Sequence, residues 1–212
     1  MLKIWGRKTS INVQKVMWVI GELGLAHERI DVGGPFGGLD QPAFQALTPH
    51  GVIPVIEDGE TVVWESNAVV RYLAAQYGDG GLSPRGPAAR AQADQWMDWH
   101  STTLYGDFIA VFLGIVRTAP SQHDTAAIAQ ASERVAGQYR RLDAQLADRP
   151  FVAGEALTMG DIPVGATLFR YFTLEIERPD LPHLEAFYAR LQERPAYREH
   201  VMISYEAMRV TD

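Results

Sequence analysis

Thr48-Pro49-His50-Gly51-Val52-Ile53-Pro54-Val55-Ile56-Glu57-Asp58-Gly59 runs directly into Glu60-Thr61-Val62-Val63-Trp64-Glu65-Ser66-Asn67. The pattern is an apolar strand, a tight Asp-Gly turn, a second apolar strand and a polar pair opening a helix. Pro54 cannot donate to a sheet ladder, so it belongs at an edge, a bulge or a strand start. Ile53 before it is biased to an extended shape, and its own N–H and C=O must find partners. Glu65 and Ser66 fall at a helix start, where backbone N–H groups are unpaired and the local field favours an anion. An extended backbone edge beside a helix N-terminus suits a peptide with a free carboxylate. The same residues also suit an ordinary hairpin leading into a capped helix.

Toward the N-terminus, Leu2-Lys3-Ile4-Trp5 reads as a short strand and Gly6-Arg7-Lys8-Thr9-Ser10 as a polar loop. A helix follows from Asn12, with Val13, Val16, Met17, Ile20 and Leu23 on one face and Gly24 as its stop. His27 to Val32 is strand-like, which makes a β-α-β unit with parallel strands and a right-handed crossover. The glycine-rich stretch Gly33 to Pro42 is a mobile loop in this reading. It lacks the Lys-Ser/Thr of a phosphate loop. Ala43 to Leu47 is at most a short helix. The hairpin spans 52–64, and the helix from Ser66 turns Val69, Val70, Leu73 and Tyr77 inward. This order predicts a four-stranded mixed sheet with helices on its faces, complete by Tyr77.

Residues 79–87 form a Gly/Pro-rich linker, after which the strand signal largely disappears. Ala88 to Val116 and Ala126 to Leu146 are long helical runs with apolar residues at intervals of three and four. Thr158-Met159-Gly160-Asp161 has the form of a relative of the capping box, with Leu157 and Ile162 at the staple positions. Pro182 and Pro195 mark the starts of two final helices. The fold class is therefore α/β followed by all-α. Its parts are a domain over 1–78, a linker over 79–87 and a helical domain over 88–212.

Composition removes several functions. Net charge is −7 with no basic cluster, so a phosphate-neutralising nucleic-acid surface is not expected. No apolar run is long enough to span a bilayer, and the first residues lead straight into a strand. A cytoplasmic protein is expected. Cysteine is absent, which excludes disulfides, thiolate metal sites and a Cys nucleophile. If sulfur chemistry occurs, the sulfur arrives with a ligand. The six His residues show no metal spacing, and no Gly-x-Ser-x-Gly elbow is present. His100 follows the Trp96-Met97-Asp98-Trp99 run and could line a pocket, but it is read first as a core or surface residue. Trp96, Trp99, Tyr105, Phe108 and Phe112 form a packing stripe, some of which can also line an apolar substrate cleft between the domains.

Thr9, Ser10 and Asn12 lie between the first strand and the first helix. Short donors there can hydrogen-bond an anion and lower the pKa of a bound thiol, or simply cap the helix.

The chain resembles the soluble glutathione transferases, which join a thioredoxin-like N-terminal domain to an all-helical C-terminal one. Three stretches carry the resemblance in order: Gly51-Val52-Ile53-Pro54, whose proline is cis in that family; Glu65-Ser66-Asn67-Ala68-Val69-Val70-Arg71-Tyr72-Leu73; and Thr158-Met159-Gly160-Asp161-Ile162. The resemblance implies glutathione as co-substrate, no metal, and a small hydrophobic electrophile or a peroxide as second substrate. It implies a homodimer in detoxification.

It also implies residue roles. Ile53 would pair through its backbone with the cysteinyl part of glutathione. Ser66 and its helix N-terminus would take the γ-glutamyl carboxylate, and Glu65 the ammonium. Ser10 matches the activating hydroxyl of theta-like members, and Ser10-Ile11-Asn12 resembles the Thr-x-Asn pattern of nu-like bacterial ones. Thr9 is the alternative. Without Tyr at the activating position and without Cys, the tyrosine classes and the cysteine-based omega and beta chemistries fit poorly. Val52 stands where many relatives have a basic residue, which leaves His50 or Gln41 for the glycyl carboxylate. A non-catalytic binding or interaction protein on the same fold is the alternative function.

Overall fold

Leu2 and Ile4 alternate with Lys3 and Trp5, and the computed structural model, which describes residues 1–212, places both inward on strand β1 (Leu2–Trp5). Helix α1 (Ile11–Leu23) follows and ends at Gly24, whose φ of 60° is the left-handed C-cap that glycine adopts without penalty. Strand β2 (His27–Ile30) pairs parallel with β1, completing the β-α-β unit. It is shorter than its apolar pattern predicted. Beyond it Val32 leaves the ladder and joins Phe44 and Val55 in a core cluster.

A 3-10 turn over Gly34–Phe36 and the short helix α2 (Pro42–Gln45) lead to β3 (Val55–Asp58) and β4 (Thr61–Trp64). The sheet order is β2-β1-β3-β4, with β3 antiparallel to both of its neighbours. The hairpin is thus shorter than 52–64. Strand β3 begins just after Pro54, as the missing N–H requires, and the Ile53–Pro54 peptide is cis.

Helix α3 (Ser66–Tyr77) buries Val69, Val70, Leu73 and Ala74 and packs on α1. Tyr77 was expected to face inward and does not: it is 39% exposed. Its hydroxyl donates to Asp58 Oδ2 at 2.5 Å, alongside the Tyr72 hydroxyl at 2.8 Å. A phenol satisfied on a carboxylate at the hairpin turn gains more than one buried without a partner.

The chain divides into two units, Met1–Ser83 with Arg194–Ile203, and Pro84–Glu193 with Ser204–Asp212. The second is helical: α4 (Pro87–Trp99), α5 (Tyr105–Val116), α6 (Thr125–Gln145), α7 (Asp161–Thr173) and α8 (Pro182–Gln192). The run read as one helix over 88–116 is broken by a π-helical turn at His100–Leu104. There the Ser101 and Thr102 hydroxyls donate to the carbonyls of Met97 and Asp98 at 2.9 and 2.8 Å, competing for the acceptors of the α-ladder. His100 is fully buried, its ring 5.4 Å from that of Tyr105.

The short helix α9 (Pro195–His200) belongs to the first unit. It lies on α1, with Tyr197 edge-on to Trp18 at 4.8 Å and Arg194 bound to Glu22.

Asp161 opens α7 from a fully buried position. Its carboxylate accepts from the Thr158 N–H at 2.7 Å, the Thr158 hydroxyl at 3.1 Å and the Val152 N–H at 2.8 Å. Thr158 Oγ1 in turn accepts from the Gly160 N–H at 3.3 Å. These are folding contacts of the capping-box kind. No helix is long and apolar enough to cross a membrane.

Candidate functional site

Ser10 is the residue before α1, with extended backbone angles; its N–H donates to the Arg7 carbonyl and its own carbonyl accepts from Gln14. Its side chain makes no capping bond to the helix. The half-buried hydroxyl therefore stands at a helix N-terminus without being used by it. Thr9 is also half-buried, one residue further from the helix.

The start of α3 repeats this arrangement. Glu65 precedes it at φ 68°, an uncommon conformation for a residue with a side chain. Glu65 is exposed and its carboxylate does not cap α3. Ser66, 7% exposed, is the first helical residue. Its hydroxyl donates to Asn12 Oδ1 at 3.3 Å, which joins the first turns of α1 and α3. Asn12 thus spends its amide oxygen on Ser66, and what it can offer a ligand is its N–H₂. Two helix N-termini, neither closed by a side-chain cap, meet at this bond. Each has unpaired N–H groups and the positive end of its dipole there.

The free edge lies alongside. Strand β3 begins at Val55, paired with Trp64, and Ile53 precedes it across the cis peptide to Pro54. The N–H and C=O of Ile53 take part in neither the ladder nor a turn hydrogen bond. Gly6 makes this close packing possible. A Cβ there would fall 2.4 Å from a Val13 methyl and 3.4 Å from the Cβ of Ile53. Ser10, Asn12, Ile53, Glu65 and Ser66 all belong to the first unit, at the ends of β1, β3 and β4 where the two helices begin.

Of the residues considered for a second carboxylate, His50 is exposed, its ring edge-on to Trp64 at 4.9 Å. Gln41 is exposed before α2, and Val52 is 48% exposed. The histidines, aspartates and glutamates form no group of three or more arranged for a metal ion.

Lys15 was not singled out from the sequence. It is 3% exposed, one turn along α1 from Asn12. Burial pushes its ammonium down to about 7, and the charge of Glu65 works against that shift. The signal was present as a lysine interrupting the apolar face of α1.

A concavity of about 1020 Å³ lies wholly in the helical unit, lined by Ile128, Arg140, Ile176, Arg178 and Val210 among others. None of Ser10, Asn12, Lys15, Ile53, Glu65 and Ser66 lines it. The helix start at its rim, that of α6, is already capped by Asp124, which accepts from the Ala127 N–H at 2.9 Å. It offers a peptide carboxylate neither an open helix N-terminus nor a free strand edge.

Residues 5–84 match the family model for the glutathione S-transferase N-terminal domain, and residues 93–195 that for the C-terminal domain. Glutathione S-transferase GstB of Escherichia coli K12 is 40% identical over 205 residues, covering 96% of this chain and 99% of that protein. A theta class glutathione S-transferase from the citrus canker pathogen Xanthomonas axonopodis pv. citri, solved with glutathione bound, superposes with a TM-score of 0.92. It is 50% identical, covering 96% of this chain and 98% of that one. Its apo form gives 0.85 and 44%, over 96% and 97%. Both family models and the relative at 40% identity show that the chain belongs to the glutathione S-transferase family.

Proposed function

We propose that this chain binds glutathione at the junction of α1, α3 and the Ile53 edge, and transfers its thiolate to a small hydrophobic electrophile. The observation that carries the proposal is the Ser66–Asn12 bond, which joins two uncapped helix N-termini. In this reading Ile53 pairs with the cysteinyl backbone, Ser66 and the start of α3 receive the γ-glutamyl carboxylate, and Glu65 its ammonium. The glycyl carboxylate lies toward His50 or Gln41. The Ser10 hydroxyl, helped by Asn12, donates to the sulfur at the positive end of α1. Holding a thiol ionised near neutral pH asks for roughly two pKa units, or about 3 kcal/mol, which one hydrogen bond to a charged acceptor and a helix field supply.

The thiolate then attacks the electrophilic carbon, the leaving group departs with the bonding pair, and the thiol proton goes to solvent. With a peroxide, the sulfur would take one oxygen and release an alcohol. A second glutathione would then release water and form the disulfide, since the chain has no Cys to do so. We assign glutathione binding to residues 1–78 and electrophile binding to the helical residues 88–212. We infer a cytoplasmic homodimer in detoxification from the family resemblance.

The test follows bound thiolate by its ultraviolet absorbance during a pH titration of wild type and Ser10→Ala. Wild type should ionise bound thiol well below its free pKa, and Ser10→Ala should lose most of that shift and of turnover while still binding glutathione. Unchanged turnover in Ser10→Ala at saturating glutathione would move the activating role to Asn12 or Thr9. Absence of glutathione binding by wild type would leave the non-catalytic interaction protein.

A further inference from the structure

The loop between β1 and α1 carries Ser10, and its backbone is held bond by bond. The Gly6 N–H donates to the Ile30 carbonyl at 2.9 Å, and the Gly6 carbonyl accepts from Arg29 Nη1 at 2.9 Å. The Ser10 N–H donates to the Arg7 carbonyl at 3.1 Å, and the Ser10 carbonyl accepts from the Gln14 N–H at 2.9 Å. A further bond comes from a side chain of α1: Gln14 Nε2 donates to the Lys8 carbonyl at 3.2 Å. Gln14 is 2% exposed, on a helix that also buries Val13, Val16 and Met17. Burying an amide there carries a desolvation cost that methionine, of similar length, would not. The bond that offsets this cost reaches into the loop rather than the core. Lys8 and Thr9 share one peptide plane, so fixing the Lys8 carbonyl fixes the plane that leads into Ser10. Gln14 thus grips the loop on both sides of Thr9, through its side chain at Lys8 and its backbone at Ser10.

We propose that Gln14 is a positioning residue for Ser10: its side-chain amide locks the Lys8–Thr9 peptide and so holds the Ser10 hydroxyl in place at the start of α1. This rests on the reading above in which Ser10 donates to the glutathione sulfur. Gln14, being buried, touches no substrate in this arrangement. The Ser10 side chain makes no capping bond to the helix, so its position is set by the backbone that carries it. A hydroxyl on a loose loop has to be ordered as the thiolate forms, whereas one already fixed loses no freedom at that step.

The experiment records the ultraviolet absorbance of bound thiolate against pH for wild type, Gln14→Met, Ser10→Ala and the double variant, with a calorimetric glutathione Kd for each. Gln14→Leu serves as the second variant should Gln14→Met not fold. The controls test the reading beneath: wild type must bind glutathione and ionise its thiol early, and Ser10→Ala must lose that shift. If either control fails, that reading falls and this proposal with it. Given both, Gln14→Met should keep Kd within about twofold, because Ile53, Glu65 and Ser66 are untouched. Its bound thiol should ionise about one pH unit higher, a loss of roughly tenfold in thiolate below that range. In the Ser10→Ala background the same substitution should shift the thiol by less than about 0.3 unit, a twofold change. An unshifted thiol in Gln14→Met, or equal shifts in both backgrounds, would overturn the proposal. So would a shift that only accompanies a weakened Kd, which would mark Gln14 as a packing residue.

Discussion

The Ser66 hydroxyl meets the side-chain oxygen of Asn12 at 3.3 Å across 54 residues of sequence, and this bond joins the first turns of α1 and α3. Neither helix start is closed by a side-chain cap, so the bond holds two open N-termini in a fixed relation. Ser66→Ala and Asn12→Ala should each weaken glutathione binding by about tenfold, the value of one well-placed hydrogen bond. The double variant should lose less than the product of the two, because the residues act as a pair. Calorimetric titration of the four proteins checks this, and fully additive losses would show that the pair does not act as a unit.

Asp161 offers a test in the helical unit. Its two oxygens accept from Thr158 and Val152 while the side chain is fully buried. Asp161→Asn would turn an N–H₂ toward a backbone N–H, so it should cost about 2 kcal/mol of stability near neutral pH. The pH dependence has a definite sign. Burial pushes the carboxyl up from 3.8 to about 6, against the pull of its hydrogen bonds. Between those values the folded protein keeps a proton that the unfolded chain has lost. This group's favourable contribution is complete below the lower value and is lost as pH rises through the upper one. The stability of wild type relative to Asp161→Asn should therefore fall between about pH 4 and pH 6 and level off above, as read from paired thermal melts.

Gly160, next to that cap, lies against α4. A Cβ there would fall 2.7 Å from the carbonyl oxygen of Ala93, a backbone atom that cannot rotate away. Gly160→Ala should destabilise by about 2 kcal/mol, even though its φ of −63° suits alanine. Alanine at Gly137 in α6, where nothing lies within 4 Å of the added atom, should instead stabilise slightly. Denaturant melts of the two variants separate the steric effect from the backbone-entropy effect.

Arg194 ties the short helix α9 to α1. Its guanidinium donates to both oxygens of Glu22, at 2.7 and 2.5 Å, and the Trp18 indole N–H donates to the same carboxylate at 2.8 Å. Arg194→Ala should cost about 1–2 kcal/mol, reduced from a fully buried pair by the partial exposure of the arginine. Arg194→Lys, which cannot form the fork, should recover less than half of it. Urea melts of both variants provide the check.

The sequence alone determined the order of elements, because hydrophobic periodicity, glycine stops and proline starts are local properties of the chain. Gly24 ends α1, Pro182 and Pro195 open α8 and α9, and the strand pairs bracket their turns for that reason. It also brought Ser10, Asn12, Ile53, Glu65 and Ser66 forward as candidates. Tertiary structure decided what no local pattern carries. It bonded Ser66 to Asn12 and left Ser10 free of the helix cap. It turned Tyr77 outward onto Asp58, returned α9 to the first unit, and broke the long helical run with a π-helical turn. Lys15 shows the difference most plainly. In sequence it is an ordinary lysine in a helix, and only the tertiary packing around α1 encloses it. Periodicity reports which faces are apolar, whereas the partner each polar group finds depends on contacts between residues far apart in the chain.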